Sequence, residues 1–301
     1  MTRPFHYSAY DLAVTSDLAL PGLQGVGHPG SDPDPVVVRL GELDEQLDGD
    51  GSPPRLEETS REEARLLWGR AGVLTIRRGA EVLVSPRSDA HPETLAAFVV
   101  AQALPLLLVQ RGFLVLHGSA VERDGRAVAF LGGGQAGKST AAAALAERGW
   151  RVVSDDVVAV TFERGCVRLL PGPPNLKLWP DTVTHFGGSP DGLARVRPTV
   201  EKRFRPVEPG SRRPVDLDQV YVLRRGEQLA LTPLRARAAL LALMPHLWAA
   251  PTAPAAQERL AACARLASTC PVSLLDRPPD LVLLAQVARL VEEKCWAEAL
   301  A

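Results

Sequence analysis

Apolar and polar positions divide the chain into two stretches of different texture. Up to residue 90, short apolar runs alternate with turn signals, and residues 36–40, 73–77 and 82–85 are β-rich runs of that kind. Pro21-Gly22, Gly27-His28-Pro29-Gly30, Asp32-Pro33-Asp34-Pro35 and the stretch 48–54 break the chain between them. The pattern predicts a small, β-rich N-terminal domain over 1–90. At His91-Pro92-Glu93-Thr94 it changes: Pro92 stands near a helix start and apolar residues continue to Val109. Gln102 and Pro105 interrupt the apolar run from Leu95, which is shorter than the roughly 20 residues that span a bilayer, so it reads as a buried helix.

The remainder, within a second region of 91–301, reads as α/β. Residues 113–117 and 127–131 are expected as buried strands. The second leads into a glycine-rich loop and an alanine-rich helix over 139–148, stopped by Gly149. A strand over 151–154 is expected to end at Asp155-Asp156, followed by a hairpin over 157–162 and 167–170. Strand, loop, helix, strand is the βαβ opening of a nucleotide-binding domain. Further strands are expected at 220–223 and 272–275, with helices near 234–244, 255–267 and 279–296; no internal repeat is visible.

Composition narrows the classes. The 301 residues are 46% hydrophobic and 23% charged, which excludes disorder or a coiled coil as the main state. A net charge of -1 provides no footprint for duplex nucleic acid or an anionic membrane, so neither partner is expected. The start lacks the apolar stretch of a secretory signal, and a cytoplasmic location is expected. Cys166, Cys263, Cys270 and Cys295 have no CxxC spacing and no accompanying paired histidines, so buried thiols are expected rather than a structural metal.

The strongest local signal is Gly132-Gly133-Gly134-Gln135-Ala136-Gly137-Lys138-Ser139, which fits G-x-x-x-x-G-K-[ST] between an apolar strand and a helix. Such a loop turns backbone N–H groups onto phosphate oxygens at a helix N-terminus; its lysine reaches the β/γ-phosphates and its serine can ligate Mg²⁺. Thr140 is expected near the α-phosphate. ATP and Mg²⁺ are therefore the expected ligands. Asp155 and Asp156 follow Lys138 by 17 and 18 residues. One carboxylate suits Mg²⁺, together with Ser139, and the other suits the proton of an incoming hydroxyl. Asp155 is assigned to the metal and Asp156 to the proton, an assignment that the sequence allows to be exchanged. No LSGGQ segment and no N-K-x-D pattern is present.

Three runs in fixed order carry a resemblance: Leu116-His117-Gly118-Ser119-Ala120-Val121, the loop through Thr140, and Ala146-Glu147-Arg148-Gly149-Trp150-Arg151-Val152-Val153-Ser154-Asp155-Asp156. They resemble the HPr kinase/phosphorylase family, and more closely its relatives among peptide-tailoring enzymes that phosphorylate lasso-peptide precursors. The resemblance covers about residues 113–180, with a weaker echo in Tyr10-Asp11-Leu12 and Leu20-Pro21-Gly22-Leu23. It implies a phosphoenolpyruvate-carboxykinase-like P-loop kinase domain, a serine hydroxyl as acceptor, and catalytic His, Lys and Asp residues at His117, Lys138 and Asp156. Where the bifunctional enzymes carry a glutamate-bearing R-G-L-G-type signature, this chain has Pro171-Gly172-Pro173-Pro174-Asn175-Leu176-Lys177-Leu178-Trp179. Kinase activity without phosphorylase activity is therefore expected.

Lysine usage adds an independent signal. Of 34 basic residues only Lys138, Lys177, Lys202 and Lys294 are lysines. Where arginine has replaced lysine so widely, the survivors mark sites that need a compact point charge. Lys177 and the cluster Lys202-Arg203 are candidates for neutralising charge that develops during transfer. The expectation is a Mg²⁺-dependent ATP kinase acting on a serine of a peptide or small protein, as a monomer or homo-oligomer. The alternatives are a kinase for a free small-molecule alcohol and a nucleotide-responsive scaffold without catalysis.

Overall fold

The structure, a computed structural model, describes residues 3–27, 34–43, 54–58, 60, 62–197, 200–208, 210–248 and 253–297. The turn signals at 28–33 and most of 48–54 lie outside the described residues. Two compact units are present. The first comprises Met1–Val115 with Arg197–Thr199 and Trp248–Arg259; the second comprises Leu116–Val196, Val200–Leu247 and Leu260–Ala301.

The first unit is built on an eight-stranded mixed sheet of β1 (Phe5–Ala9), β2 (Leu12–Ser16), β3 (Gln24–Gly25), β4 (Val36–Leu40), β5 (Arg55–Glu58), β6 (Glu63–Trp68), β7 (Gly72–Arg77) and β8 (Glu81–Pro86), in the order β3-β1-β2-β4-β8-β7-β6-β5. Tyr10 and Asp11 join β1 to β2 with both residues left-handed, at φ 56° and 61°, as a two-residue hairpin turn of matching twist requires. Parallel pairing of β2 with β4 and of β4 with β8 follows Val14↔Val36 and Val38↔Val82, and all four side chains are buried.

The expected buried helix follows as α1 (Pro92–Phe98), a π-turn over Val99–Ala103, and α2 (Leu104–Gln110). Pro105 has no N–H to donate to the preceding turn, and the N–H of Leu104 reaches back five residues to Val99 O. This helical run of 19 residues is the single one among the described residues long and apolar enough to cross a membrane; its mean hydropathy is 1.7, and 56% of it is buried in protein. It docks on the β7–β8 hairpin. Gln110 Oε1 accepts from the Gly79 N–H at 2.9 Å, Gln110 Nε2 donates to Ile76 O at 3.2 Å, and Arg111 Nε donates to Gly79 O at 2.6 Å. The helix therefore belongs with the N-terminal sheet, and the division expected at residue 90 falls after Val115.

The second unit holds all or most of each remaining element: β9 (Leu114–Arg123), β10 (Arg126–Leu131), α3 (Lys138–Ala146), β11 (Arg151–Glu163), β12 (Cys166–Leu169), β13 (Asn175–Leu178), α4 (Pro180–His185), β14 (Arg195–Arg197), β15 (Val200–Pro206), β16 (Val215–Arg225), β17 (Ala230–Leu234), α5 (Ala236–Leu243), α6 (Ala253–Thr269), β18 (Val272–Arg277) and α7 (Leu284–Ala297). Its main sheet runs β10-β9-β11-β12-β16-β18-β17, and β10 also pairs with β16, so five strands close on themselves. β16 pairs in parallel with both β10 and β18; β9 and β17 run antiparallel to them. β9 lies between β10 and β11, so the βαβ opening expected from sequence spans an intervening strand.

After its polar first turn the helix α3 is apolar and buried on every side, with Ala141 to Leu145 packed among Leu284, Val287, Ala288 and Val291 of α7. Gly149 ends it at φ 88°, and the Trp150 N–H closes back on Leu145 O at 3.2 Å. β11 does not end at the aspartate pair: it continues through Asp155 and Asp156 to Glu163. The apolar run beyond the pair has enough β propensity to continue the strand past a local distortion.

Candidate active site

The glycine-rich loop leaves the carboxyl end of β10 at Leu131 and enters α3 at Lys138. Gly137 is the N-cap of that helix, at φ 92°, and has no side chain to cap it; among the described residues no side chain bonds the first N–H groups of α3. A residue with a β-carbon would be strained there. Gly133, Gly134 and Gln135 are exposed, and Thr140 is half-buried in the first helical turn. Lys138 is only 8% exposed; its Nζ donates to Gly132 O at 3.0 Å and Gly133 O at 3.1 Å, so it lies over its own loop. Burial lowers its pKa, and the charges of Asp156 and Asp155 oppose that shift.

Asp155 is buried, with both oxygens in use. Oδ1 accepts from Ser119 Oγ at 2.5 Å and Ser139 Oγ at 2.8 Å, and Oδ2 accepts from the Lys177 N–H at 2.7 Å. One carboxylate thereby ties β9, α3 and β13 together. Asp156 differs. Its Oδ2 meets Lys177 Nζ at 2.5 Å, and its backbone is left-handed at φ 72°. In a regular strand consecutive side chains point to opposite faces. The left-handed residue breaks that alternation, and both aspartates engage the same lysine. Strain of this kind, about 1–3 kcal/mol, survives only where the surroundings hold it in place.

The two carboxylates are pushed apart electrostatically. Burial and the neighbouring Asp156 charge raise Asp155, against its hydrogen-bond donors. Burial also acts to raise Asp156, but Lys177, with smaller contributions from His117 and Lys202, outweighs it and holds that carboxyl well below the usual range. Asp156 is therefore ionised across the neutral range. His117 Nδ1 donates to Asp156 O at 2.9 Å; because a carbonyl accepts only, the ring carries its proton on Nδ1. Burial and Lys138 lower the pKa of His117.

Of the candidates read from the sequence, the structure brings His117, Lys138, Ser139, Asp155, Asp156 and Lys177 together. Lys202 acts on both Lys138 and Asp156 and lies 5.8 Å over the Trp179 ring. Arg203 does not join them. Side chains alternate along β15, and its guanidinium is taken by Glu201 and by Pro190 O.

Three residues were missed. Ser119 lies inside a quoted motif, two positions beyond His117, but nothing in the sequence shows that it meets Asp155. His246 follows α5, and an isolated antiparallel bridge Leu116↔Leu247 brings its segment beside His117. Arg277 ends β18, and a β-carbon at Gly137 would lie 2.2 Å from its Nη2.

Burial, with Lys138 and His117 nearby, lowers His246 from the ordinary 6.5 to about 4. Between those values the unfolded chain binds a proton that the folded chain does not, so stability falls as pH drops through the window. Thermal unfolding midpoints measured from pH 7 to pH 4 are expected to fall, and His246→Gln is expected to flatten the slope; an unchanged slope would remove His246 as its source.

No protein-family model matches the chain, and no curated protein does. Among solved structures, the Hpr(Ser) kinase/phosphatase from Coxiella burnetii aligns over 62% of this chain and 98% of its own, at 14% identity and a TM-score of 0.34.

The residues fit a Mg²⁺–nucleotide. The α3 N-terminus follows a loop whose lysine, among the described residues, is held by loop carbonyls, and Ser139 and Asp155 present hard oxygen donors 2.8 Å apart. Among the described residues no cluster of three or more His, Cys, Asp or Glu stands ready to hold a metal alone, so the other Mg²⁺ ligands would come from phosphate and water.

Proposed function

We propose that the chain is a Mg²⁺-dependent ATP kinase that phosphorylates a serine hydroxyl of a peptide or small protein. The observation that carries this is the junction of a phosphate-binding loop with an asymmetric carboxylate pair: Ser139 bonds Asp155 at 2.8 Å while Asp156 and Lys177 stand together at 2.5 Å. Ser139 and Asp155 would hold Mg²⁺, which when bound neutralises charge on the donor phosphates. Lys138 leaves its loop carbonyls for the phosphates. Asp156, the more open carboxylate, orients the acceptor hydroxyl and takes its proton. A loose transfer needs positioning more than base strength, so a low-pKa carboxylate suffices. Lys177 and Lys202 supply positive charge beside the acceptor.

A peptide is favoured over a free small alcohol because Trp179 is 39% exposed, two residues beyond Lys177 and beneath Lys202, an aromatic and basic surface suited to side chains flanking a serine. The test is incubation with labelled ATP, Mg²⁺ and fractionated peptides and metabolites, read by mass spectrometry. A phosphate increment on a peptide serine, retained under excess inorganic phosphate, is expected. Loss of the increment under phosphate would restore phosphorylase activity. Labelling of free serine alone would indicate a small-molecule kinase, and nucleotide binding without transfer a scaffold.

Lys177→Met is expected to reduce kcat by about 10–100-fold, the scale of one lost electrostatic contact to developing charge. It is also expected to move the acid limb of the rate profile upward, because Asp156 loses the partner that depresses its pKa. An unshifted limb would mean that Asp156 is not the titrating group.

A further inference from the structure

The carboxyl ends of the parallel strands β10, β16 and β18 lie side by side, the end of such strands from which phosphate-binding loops leave. β10 delivers the glycine-rich loop there, and β18 delivers Arg277. This arginine is 7% exposed, yet its Nε and Nη1 have no hydrogen-bond partner in the protein among the described residues. Asp276, the adjacent carboxylate, is committed to Arg224 at 2.8 and 2.9 Å. The charged neighbour that Arg277 does feel is Arg225, which repels it. Its guanidinium lies against Gly137, the N-cap residue of α3.

A buried, unpaired guanidinium is costly by itself, since each unmade hydrogen bond forfeits its desolvation energy and no counter-charge repays it. Its position beside a second source of positive potential, the α3 N-terminus, adds to that cost unless an anion is bound between them. An arginine presents a planar fork of donors that matches phosphate oxygens, which a lysine does not.

We propose that Arg277 is a ligand for the phosphates of the nucleotide donor, closing the loop from the β18 side. This rests on the assignment of residues 132–139 as the donor site. It implies that Arg277 trades stability of the free protein for affinity.

The test uses the full chain, with MgATP titrated calorimetrically into wild type, Arg277→Met and Arg277→Lys, alongside thermal melts of each without nucleotide. In Arg277→Met the dissociation constant for MgATP is expected to rise about 10–100-fold, the scale of lost charge-assisted hydrogen bonds. The midpoint of the free variant is expected to equal or exceed that of wild type, because an apolar side chain replaces an unpaired buried charge. A dissociation constant within twofold of wild type overturns the proposal, whatever the midpoint does. A lowered midpoint of the free variant with weakened binding also overturns it, since the arginine would then act by holding the fold. If Arg277→Met does not fold, Arg277→Lys decides: weaker MgATP binding at an unchanged midpoint supports the proposal, and unchanged binding overturns it. Failure of wild type to bind MgATP would instead remove the donor-site assignment, a separate result from equal binding by wild type and variant.

Discussion

Lys138→Ala is expected to abolish measurable transfer while leaving the fold intact. Among the described residues the Nζ of Lys138 bonds Gly132 O and Gly133 O, carbonyls of the loop that it would exchange for phosphate oxygens. Burial lowers its pKa, yet the charges of Asp155 and Asp156 favour the ammonium form. Removing one preorganised positive group at developing charge costs roughly 10²–10³ in kcat, and here the same group also positions the donor, so the loss in kcat/KM is expected to exceed that range. Thermal unfolding should remain a single transition within a few degrees of wild type, because the side chain anchors no core residue. Steady-state rates and melting curves of the purified variant check both halves. Unchanged activity would end the kinase assignment.

Asp156→Asn is expected to lower kcat by about 10²–10⁴, the usual contribution of a positioned general base, with nucleotide affinity near wild type. Asp155→Asn should behave differently. Asp155 accepts from Ser119, Ser139 and the Lys177 N–H. An asparagine keeps a single acceptor oxygen; if that oxygen serves the Lys177 N–H, its NH₂ group faces Ser119 and Ser139, whose hydroxyls must turn from donating to accepting, and the charge that strengthened all three bonds is lost. A higher Mg²⁺ requirement and a lower unfolding midpoint are therefore expected together. Magnesium titrations and melts of both variants distinguish the roles. The opposite pattern would exchange Asp155 and Asp156, and full activity in both would refute the assignment.

Much of the site was legible because its parts are local. A strand, six loop residues and Lys138-Ser139 form a self-contained device whose geometry is set by the glycines between them, so eight consecutive residues announce it. The aspartate pair was also visible, at a fixed distance from the loop. Its setting was not: an expected strand end is instead a strand interior with Asp156 at φ 72°, a backbone state that propensity does not encode at a non-glycine residue. Among the few lysines, Lys177 meets Asp156, whereas Arg203, drawn in as the neighbour of Lys202, faces Glu201 on the other side of its strand.

Sequence by itself determined the α/β alternation, the glycine-rich loop opening α3 and the presence of two carboxylates and a few lysines near it, because periodicity, glycine placement and short-range spacing act within one or two turns of chain. Tertiary structure alone decided which groups share the site. Ser119 reaches Asp155 across 36 residues, Lys177 reaches Asp156 across 21, and Arg277 arrives at Gly137 on a separate parallel strand. Those meetings depend on strand order and register, where a slip of one residue sends a side chain to the opposite face, and no local pattern carries that information.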